Sequence, residues 1–258
     1  MAGEFTGKVA VISGGSRGIG RAIAEALGRE GAQTVLLAAS AENLAIAAKR
    51  VVAAGGPEPM TIAADLRTLA ACEDAAKQVR DRFKRCDILI NSAGATKSGA
   101  FADLADDVWL DGFALKYFAC VRLCRALWPM LKEAKGRVVN IDGGAARTPD
   151  PLFMVGGSVN AAMANFSKAL AGLGKREGVN VNVIHPGSTE TDRITQLFEQ
   201  RAAASGKTPA EVREQALKEG MGQPEDVAEL AVYLCSAKAK HIQGAAIAVD
   251  GGATPGLY

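Results

Sequence analysis

The sequence predicts an α/β fold: a single doubly wound, parallel, seven-stranded sheet with helices on both faces. Short β-branched or apolar runs alternate with helical patterns along the whole chain. The runs are almost continuously apolar, which is typical of strands buried on both faces and therefore of a parallel sheet covered by helices on each side. No internal repeat, low-complexity tract or linker interrupts the alternation, so one domain over residues 1–258 is expected.

Seven strands are predicted from the short apolar runs. VAVIS (9–13) is followed by an amphipathic stretch that ends at Gly31, and TVLLA (34–38) by a helical pattern that ends at Gly55-Gly56. The other five strands are predicted at MTIAA (60–64), DILIN (87–91), RVVNI (137–141), NVNVI (180–184) and AIAVD (246–250), with helical segments between them.

An insertion of charged, helical sequence at about residues 190–222 separates the sixth and seventh strands. Ligands of open α/β sheets bind beyond the carboxyl ends of the strands, and this insertion follows such an end. It is interpreted as a lid over a ligand, with a solvated helical excursion as the alternative.

Composition narrows the classes of partner. The net charge is +2 and no Lys/Arg run exists, so neither a nucleic acid nor an anionic membrane is expected as a partner. The amino terminus lacks a secretion pattern and no apolar run has the length of a membrane span, which predicts a cytoplasmic protein. The five cysteines form no CxxC pair, so reduced core thiols are predicted and no metal site.

A glycine-rich motif, SGGSRGIG at 13–20, directly follows the first strand and opens the first helix. Gly14 allows a tight turn, Gly18 lets the backbone approach a pyrophosphate, and Gly20 permits close packing of helix and strand. The free N–H groups at the start of the helix then face the phosphates. This context predicts a Rossmann-type dinucleotide site.

The glycine spacing T-G-x-x-x-G-x-G, with Ser13 in the Thr place, resembles that of the short-chain dehydrogenase/reductase family. The resemblance covers essentially the whole chain. Its further motifs are Asp65-Leu66, NSAG (91–94), HPGSTETD (185–192), and GQPEDVAELAVYLCS followed by IQGAAIAVDGG near the end.

The resemblance implies a nicotinamide dinucleotide cofactor. Asp65 and Leu66 would hold the adenine, while other matching residues would line the cleft and flank the nicotinamide. The complete set of predicted cofactor-binding residues is Gly14, Ser16, Arg17, Gly18, Ile19, Gly20, Ser40, Asp65, Leu66, Asn91, Ala93, Gly94, Pro186, Gly187 and Thr189.

The tip of the second strand favours NADP(H) over NAD(H). NAD enzymes place a carboxylate there for the adenosine 2′-hydroxyl, whereas this chain has Ala38-Ala39-Ser40. Arg17 in the glycine loop could instead pair with a 2′-phosphate, helped by the Ser40 hydroxyl.

The resemblance also implies four catalytic residues: a Ser that orients a carbonyl, a Tyr that donates the proton, a Lys that lowers the Tyr pKa, and an Asn on the long central helix. The register of the flanking motifs places these at Gly143, Gly156, Asn160 and Lys116, respectively. All four residue types are therefore replaced. A tyrosine with a pKa of about 10 needs the charge of the lysine to work near neutral pH.

Two ionisable residues, Lys116 and Asp142, are the catalytic candidates that remain near the expected cleft. The alternative is a structural ion pair between them. Tyr117 follows Lys116 but falls on an apolar helical stripe, so it is interpreted as core or subunit interface. His185 is interpreted as a hydrogen-bonded imidazole near the cofactor.

Three functions remain open. The first is an NADP(H)-binding oxidoreductase with a non-standard active site, acting on a small carbonyl or a conjugated C=C compound. The second is a catalytically silent nucleotide-binding or partner subunit, and the third is non-redox chemistry assisted by Lys116. Two helices, with the stripe from Trp109 to Cys124 and the small residues from Asn160 to Gly174, predict a homodimer or homotetramer.

Overall fold

The computed structural model describes residues 3–218 and 220–255, apart from the side chains of residues 192 and 193. Seven parallel strands form one sheet in the order β3-β2-β1-β4-β5-β6-β7, which confirms the predicted fold class. The strands are β1 (Val9–Ser13), β2 (Gln33–Ala38), β3 (Met60–Ala63), β4 (Ile88–Asn91), β5 (Arg137–Ile141), β6 (Asn180–Pro186) and β7 (Ala246–Val249).

Helices connect successive strands. They are α1 (Gly18–Arg29), α2 (Ala41–Ala53), α3 (Leu69–Phe83), α4 (Asp106–Gly112), α5 (Ala119–Ala134), α6 (Met154–Glu177), α7 (Asp192–Ser205), α8 (Pro209–Lys218) and α9 (Pro224–Cys235). A π-helical segment, Phe113–Phe118, joins α4 to α5. In the part of the chain that the structure describes, no helix combines the length and the apolar character that a membrane span requires.

The sheet separates two apolar layers because neighbouring residues of a strand point to opposite faces. Ile12 of β1 packs in the layer formed with α1, α2 and α9, whereas Val11 packs in the layer formed with α3, α5 and α6. Both residues are fully buried, as the continuous apolar run predicts.

The strand order reverses between β1 and β4. Ser13 at the end of β1 pairs with Leu37 of β2 on one side and with Asn91 of β4 on the other. The connections after β1 and β4 therefore diverge to opposite sides and leave a crevice at the carboxyl edge of the sheet, where open α/β sheets bind ligands.

The insertion between β6 and β7 folds into α7 and α8, and its two ends meet. The amide of Gly222 donates to the carbonyl of Ser188, and the amide of Glu190 donates to the carbonyl of Gly222, each at 2.9 Å. The helical excursion is thus tied at its base. Its role as a lid stays a prediction.

The five cysteines are buried and unpaired, as predicted for core thiols. Burial raises the pKa of Cys72 to about 11 and that of Cys235 to about 12. Both thiols are therefore held in their protonated, unreactive form at neutral pH.

Candidate functional site

A cleft of about 810 Å³ opens at the carboxyl edge of the sheet, at the point where the strand order reverses. The glycine loop, the ends of β4, β5 and β6, and helix α7 contribute to its walls. Nearly all the predicted cofactor-binding residues line it: Gly14, Ser16, Arg17, Gly18, Ile19, Gly20, Ser40, Asp65, Leu66, Ala93, Gly94, Pro186, Gly187 and Thr189.

The glycine loop has the backbone that the motif predicts. Gly14 and Gly18 have φ values of +69° and +50°, a region that favours glycine. A Cβ on Gly14 would lie 2.7 Å from the carbonyl oxygen of Ser92, and one on Gly20 would overlap the carbonyl oxygen of Gly14. The loop thus folds tightly against the start of α1, where the free N–H groups fit the phosphates of a dinucleotide.

The mouth of the cleft beside β2 carries no acid in its Ala38-Ala39-Ser40 tip. Arg17, the residue before α1, is exposed there. The Ser40 hydroxyl oxygen accepts a hydrogen bond from the Asn43 amide at 3.2 Å and so caps α2. This bond uses Ser40 as an acceptor, which leaves its O–H as a donor toward a ligand.

Asp65 and Leu66 form the wall next to β3. The Asp65 carboxylate accepts from the Arg67 amide and from the Arg67 guanidinium, both at 3.1 Å. Leu66 is 2% exposed and belongs to the core. The wall is therefore an apolar surface with a carboxylate fixed at its rim.

Asn91 is placed differently from the prediction. Its side chain lies in the core at 2% exposure, with its amide donating to the Asn140 side chain at 2.8 Å. Asn140 in turn donates to the Ser167 hydroxyl at 2.7 Å. Asn91 thus supports the strand ends from beneath the cleft, because its amide finds partners in Asn140 on β5 and Cys124 on α5.

Lys116 lies on the π-helical segment and lines the cleft. Its ammonium donates to the Asn160 side-chain oxygen at 2.6 Å and to the Asp142 carbonyl oxygen at 2.7 Å. Gly143 and Asn160 line the same part of the cleft. Three of the four positions to which the resemblance assigns catalytic residues therefore lie side by side in the cleft, and one of them carries an ammonium. A π-helical turn is rare and is frequently found at functional sites.

Gly156 lies beneath the ring of Phe153. A Cβ on Gly156 would overlap this ring, and Phe153 itself lines the cleft. Arg201 of α7 stacks over the ring with its guanidinium carbon 5.8 Å from the centroid, and it pairs with Asp150 at 2.7 Å. An aromatic ring without a hydroxyl thus fills the space above the position that the resemblance gives to tyrosine.

Asp142 differs from the prediction of a catalytic carboxylate. Its side chain is 0% exposed, although the residue borders the cleft. The carboxylate is hydrogen-bonded to the Nδ1 atom of His185 and accepts a hydrogen bond from the Gly143 amide at 2.5 Å. Burial raises the pKa of the Asp142 carboxyl, against the lowering effects of His185 and Lys116.

These contacts also revise the expected ion pair with Lys116. The ammonium meets Asp142 through the main-chain carbonyl, while the carboxylate faces His185. The imidazole is buried at 2% exposure and hydrogen-bonded, as its interpretation predicts. Asp142 and His185 therefore support the end of β5 from below.

Phe153 and Arg201 were not predicted as site residues. Phe153 precedes α6 and has a non-helical φ of −132°, so helical spacing does not predict that its ring lies over Gly156. Arg201 reaches the site from the insertion, which periodicity alone cannot show. Tyr117 packs edge-on against Phe113, Phe118 and Phe166, which agrees with its interpretation as a core or interface residue.

The parallel sheet, the reversal of its strand order and the glycine loop define a dinucleotide-binding α/β protein. The model of a family described as enoyl-(acyl carrier protein) reductase matches residues 14–254. The chain belongs to the short-chain dehydrogenase/reductase family of NAD(P)-dependent oxidoreductases.

Individual relatives extend over almost the whole chain. A 3-oxoacyl-[acyl-carrier-protein] reductase of Escherichia coli (strain K12) is 34% identical over 251 residues, which cover 96% of this chain and 98% of the relative. The structure of L-sorbose reductase from Gluconobacter frateurii, complexed with NADPH and L-sorbose, has a TM-score of 0.91 and 31% identity, with 100% of both chains covered. An actinorhodin polyketide ketoreductase with NADPH has a TM-score of 0.93 and 28% identity, covering 99% of this chain and 100% of the ketoreductase.

Proposed function

We propose that the protein is an NADP(H)-binding oxidoreductase with a non-standard active site. Of the two substrate classes that the sequence leaves open, a small carbonyl or a conjugated C=C compound, the proposal favours the conjugated C=C compound. The observation that carries the proposal is that the complete glycine loop and the Lys116 ammonium line the same cleft. Two similar structures, the L-sorbose reductase and the actinorhodin ketoreductase, hold NADPH.

The preference for NADP(H) over NAD(H) is supported by charge at the mouth of the cleft. Arg17 is exposed beside Ser40, and the tip of β2 brings no carboxylate to repel a 2′-phosphate. An arginine–phosphate pair is a charge-assisted hydrogen bond, which is worth about 1.5–3 kcal/mol.

Arg17→Ala is therefore expected to weaken NADPH binding by about 10-fold or more and to leave NADH binding nearly unchanged. Calorimetric titration of both nucleotides measures this. Arg21→Ala is the matched control, because Arg21 lies one turn along α1 and pairs with Glu25 at 3.5 Å. Equal affinity of the wild type for the two nucleotides would contradict the assignment.

Proton supply is assigned to Lys116. The bound nicotinamide supplies a hydride, and the protein must hold a proton or stabilise negative charge on the substrate. The Lys116 ammonium is held by hydrogen bonds to Asn160 and to the carbonyl of Asp142. Gly143 and Asn160 line the same part of the cleft, and neither has a hydroxyl group. An ammonium there can donate to the oxygen of a conjugated carbonyl compound as charge develops on it.

Lys116→Met is expected to lower kcat by about 100-fold or more on whichever conjugated enone or enoyl thioester the wild type reduces, because general acid catalysis contributes a factor of about 100 to 10,000. NADPH oxidation followed by absorbance measures it. Lys97→Met is the control, since Lys97 is an exposed neighbour on the loop after β4. Undiminished turnover in Lys116→Met would remove Lys116 from the chemistry.

A catalytically silent nucleotide-binding or partner subunit is the second candidate. The Phe153 ring above Gly156 favours it, because this ring fills the space above the position that the resemblance gives to the proton donor, and the ring cannot donate a proton. Absence of turnover over the whole panel, together with tight NADPH binding, would select this function.

Self-association is proposed as well. Leu110 is 64% and Phe118 44% exposed on the helical segment that carries Trp109 and Tyr117, more apolar surface than a solvated helix needs. A homodimer or homotetramer through this segment and α6 would cover it. The cytoplasmic location remains a prediction from the sequence. So does the expectation that neither a nucleic acid nor a membrane is a partner.

Light scattering at micromolar concentration is expected to give the mass of a dimer or tetramer. Phe118→Glu should shift the population toward the monomer, since it places a charge in the proposed contact. Phe101→Glu is the control, because Phe101 is 67% exposed and lies outside that segment. A monomeric wild type would refute the proposal.

A further inference from the structure

The Phe153 ring forms part of the cleft wall just before the start of α6. Its far edge, made of Cε1, Cζ and Cε2, fills the place of a Cβ on Gly156. The Arg201 guanidinium carbon lies 5.8 Å from the ring centroid and holds the ring from the side of α7. Phe153 is half-buried, so its ring is fixed in position and still contacts the cleft.

The ring lies close to the Lys116 ammonium. Gly156 and Asn160 are four residues apart in α6, which places them on one face of the helix and about 6 Å apart along its axis. The Asn160 side-chain oxygen accepts a hydrogen bond from the ammonium at 2.6 Å. A conjugated carbonyl compound with its oxygen at Lys116 can therefore extend its C=C bond, and the group that this bond carries, to Phe153.

Helix α7, which carries Arg201, brings an apolar face to the cleft. Ile194, Leu197 and Phe198 line the cleft, and their spacing places them on one side of the helix. Phe198 is buried, and the other two are half-buried. The polar side chains of the same stretch are exposed: Thr195, Gln196 and Glu199. The face that α7 turns toward the cleft therefore fits an apolar group.

The two charged side chains beside the ring pair with each other. Asp150 accepts a hydrogen bond from the Arg201 guanidinium at 2.7 Å and, through its other oxygen, one from the Leu152 amide at 2.8 Å. Because the two charges offset each other, they attract neither an anionic nor a cationic substrate group strongly. An apolar group gains free energy by leaving water here, and an aromatic ring can in addition pack edge-on against Phe153.

We propose that Phe153 is a specificity-determining residue that selects a neutral conjugated carbonyl compound whose C=C bond carries an aromatic ring. This ring packs between Phe153 and the apolar face of α7, while the carbonyl oxygen meets Lys116. The C=C bond takes up one hydride from NADPH and one proton, and NADP⁺ results. The inference rests on the proposed function and narrows its substrate class.

The test uses two enones that differ in one group. Benzylideneacetone carries a phenyl ring on its C=C bond, and ethylideneacetone carries a methyl group. Each is titrated by calorimetry into the protein saturated with NADP⁺, and each is assayed for kcat/KM with NADPH. Wild type is expected to bind the phenyl compound about 10-fold more tightly or better, since one additional methylene in an apolar pocket is already worth about 10-fold or more.

Phe153→Ala is expected to lower this phenyl preference about fivefold or more, because the ring that contacts the phenyl group is removed. Its affinity for ethylideneacetone and for NADP⁺ should stay within about threefold of wild type, which a general loss of structure would not produce. Leu197→Ala should lower the preference as well, and it carries the test if thermal melting shows Phe153→Ala to be unfolded. Gln196→Ala is the matched control, since Gln196 is the exposed neighbour of Leu197.

A phenyl preference below about threefold in wild type would overturn the proposal, as would equal losses for both enones in Phe153→Ala. Failure of the proposed function looks different. If both enones bind but neither is reduced, the binding preference still decides the role of Phe153. If NADP⁺ itself does not bind, the titrations are made on the protein alone, and the same preference and the same loss in Phe153→Ala are required.

Discussion

Gly20→Val is expected to abolish measurable binding of both NADPH and NADH, a loss of at least about 100-fold. A Cβ on this residue would overlap the carbonyl oxygen of Gly14, so the glycine loop must move away from α1. The N–H groups at the start of α1 would then no longer converge on a phosphate. Gly20 is buried, so overpacking should also cost about 1–3 kcal/mol of unfolding free energy.

Calorimetric titration and thermal melting separate the two effects of Gly20→Val. Gly144→Ala is the control for a glycine at the same cleft, because a Cβ there would lie no closer than 3.6 Å to its nearest neighbour, the Thr254 hydroxyl. It should change nucleotide affinity by less than about threefold. Wild-type affinity in a folded Gly20→Val protein would show that the nucleotide does not use this loop.

The strands and the glycine loop could be predicted because their signals are local. A buried parallel strand consists of one continuous apolar run, so the strand predicted at 137–141 coincides with β5. The prediction at 180–184 is short by two residues, since β6 continues through His185 and Pro186, which pair with Ala248 and Val249. Polar or proline residues extend a strand only when a neighbour is present to pair with them.

The details of the site depend on contacts between distant segments, which one sequence does not reveal. The π-helical segment that carries Lys116 has the residue composition of an ordinary α-helix, so its sequence does not reveal the π-helical turn. Asn91 turns inward because Asn140 and Cys124 supply hydrogen-bond acceptors from β5 and α5. The Phe153 ring is held over Gly156 by Arg201 of α7. Residue types at the cleft were therefore predictable, whereas the directions of their side chains were not.

Carbonyl reduction by the wild-type protein is expected to be nearly absent on a panel of ketones, acetoacetyl thioesters and, in the reverse direction, secondary alcohols. General acid catalysis contributes a factor of about 100 to 10,000, and loss of an orienting hydroxyl adds to the deficit. Gly143 and Gly156 offer neither group, and Phe153 fills the space above Gly156. Steady-state assays that follow NADPH absorbance measure the rates, with the Escherichia coli relative as the positive control.

Single substitutions toward the missing residues are expected to leave the rate of carbonyl reduction unchanged. Gly156→Tyr introduces a Cβ into the Phe153 ring, and Gly143→Ser introduces one 2.7 Å from the Asn160 amide, so each new side chain must first displace its neighbour. A tyrosine at 156 would also lack the lysine that lowers its pKa, since Asn160 stands at that position. Lys116→Ala and Asp142→Ala are assayed beside wild type. Robust ketone reduction that survives both of these substitutions would show that the proton comes from another group, and that the positions assigned from the resemblance are wrong.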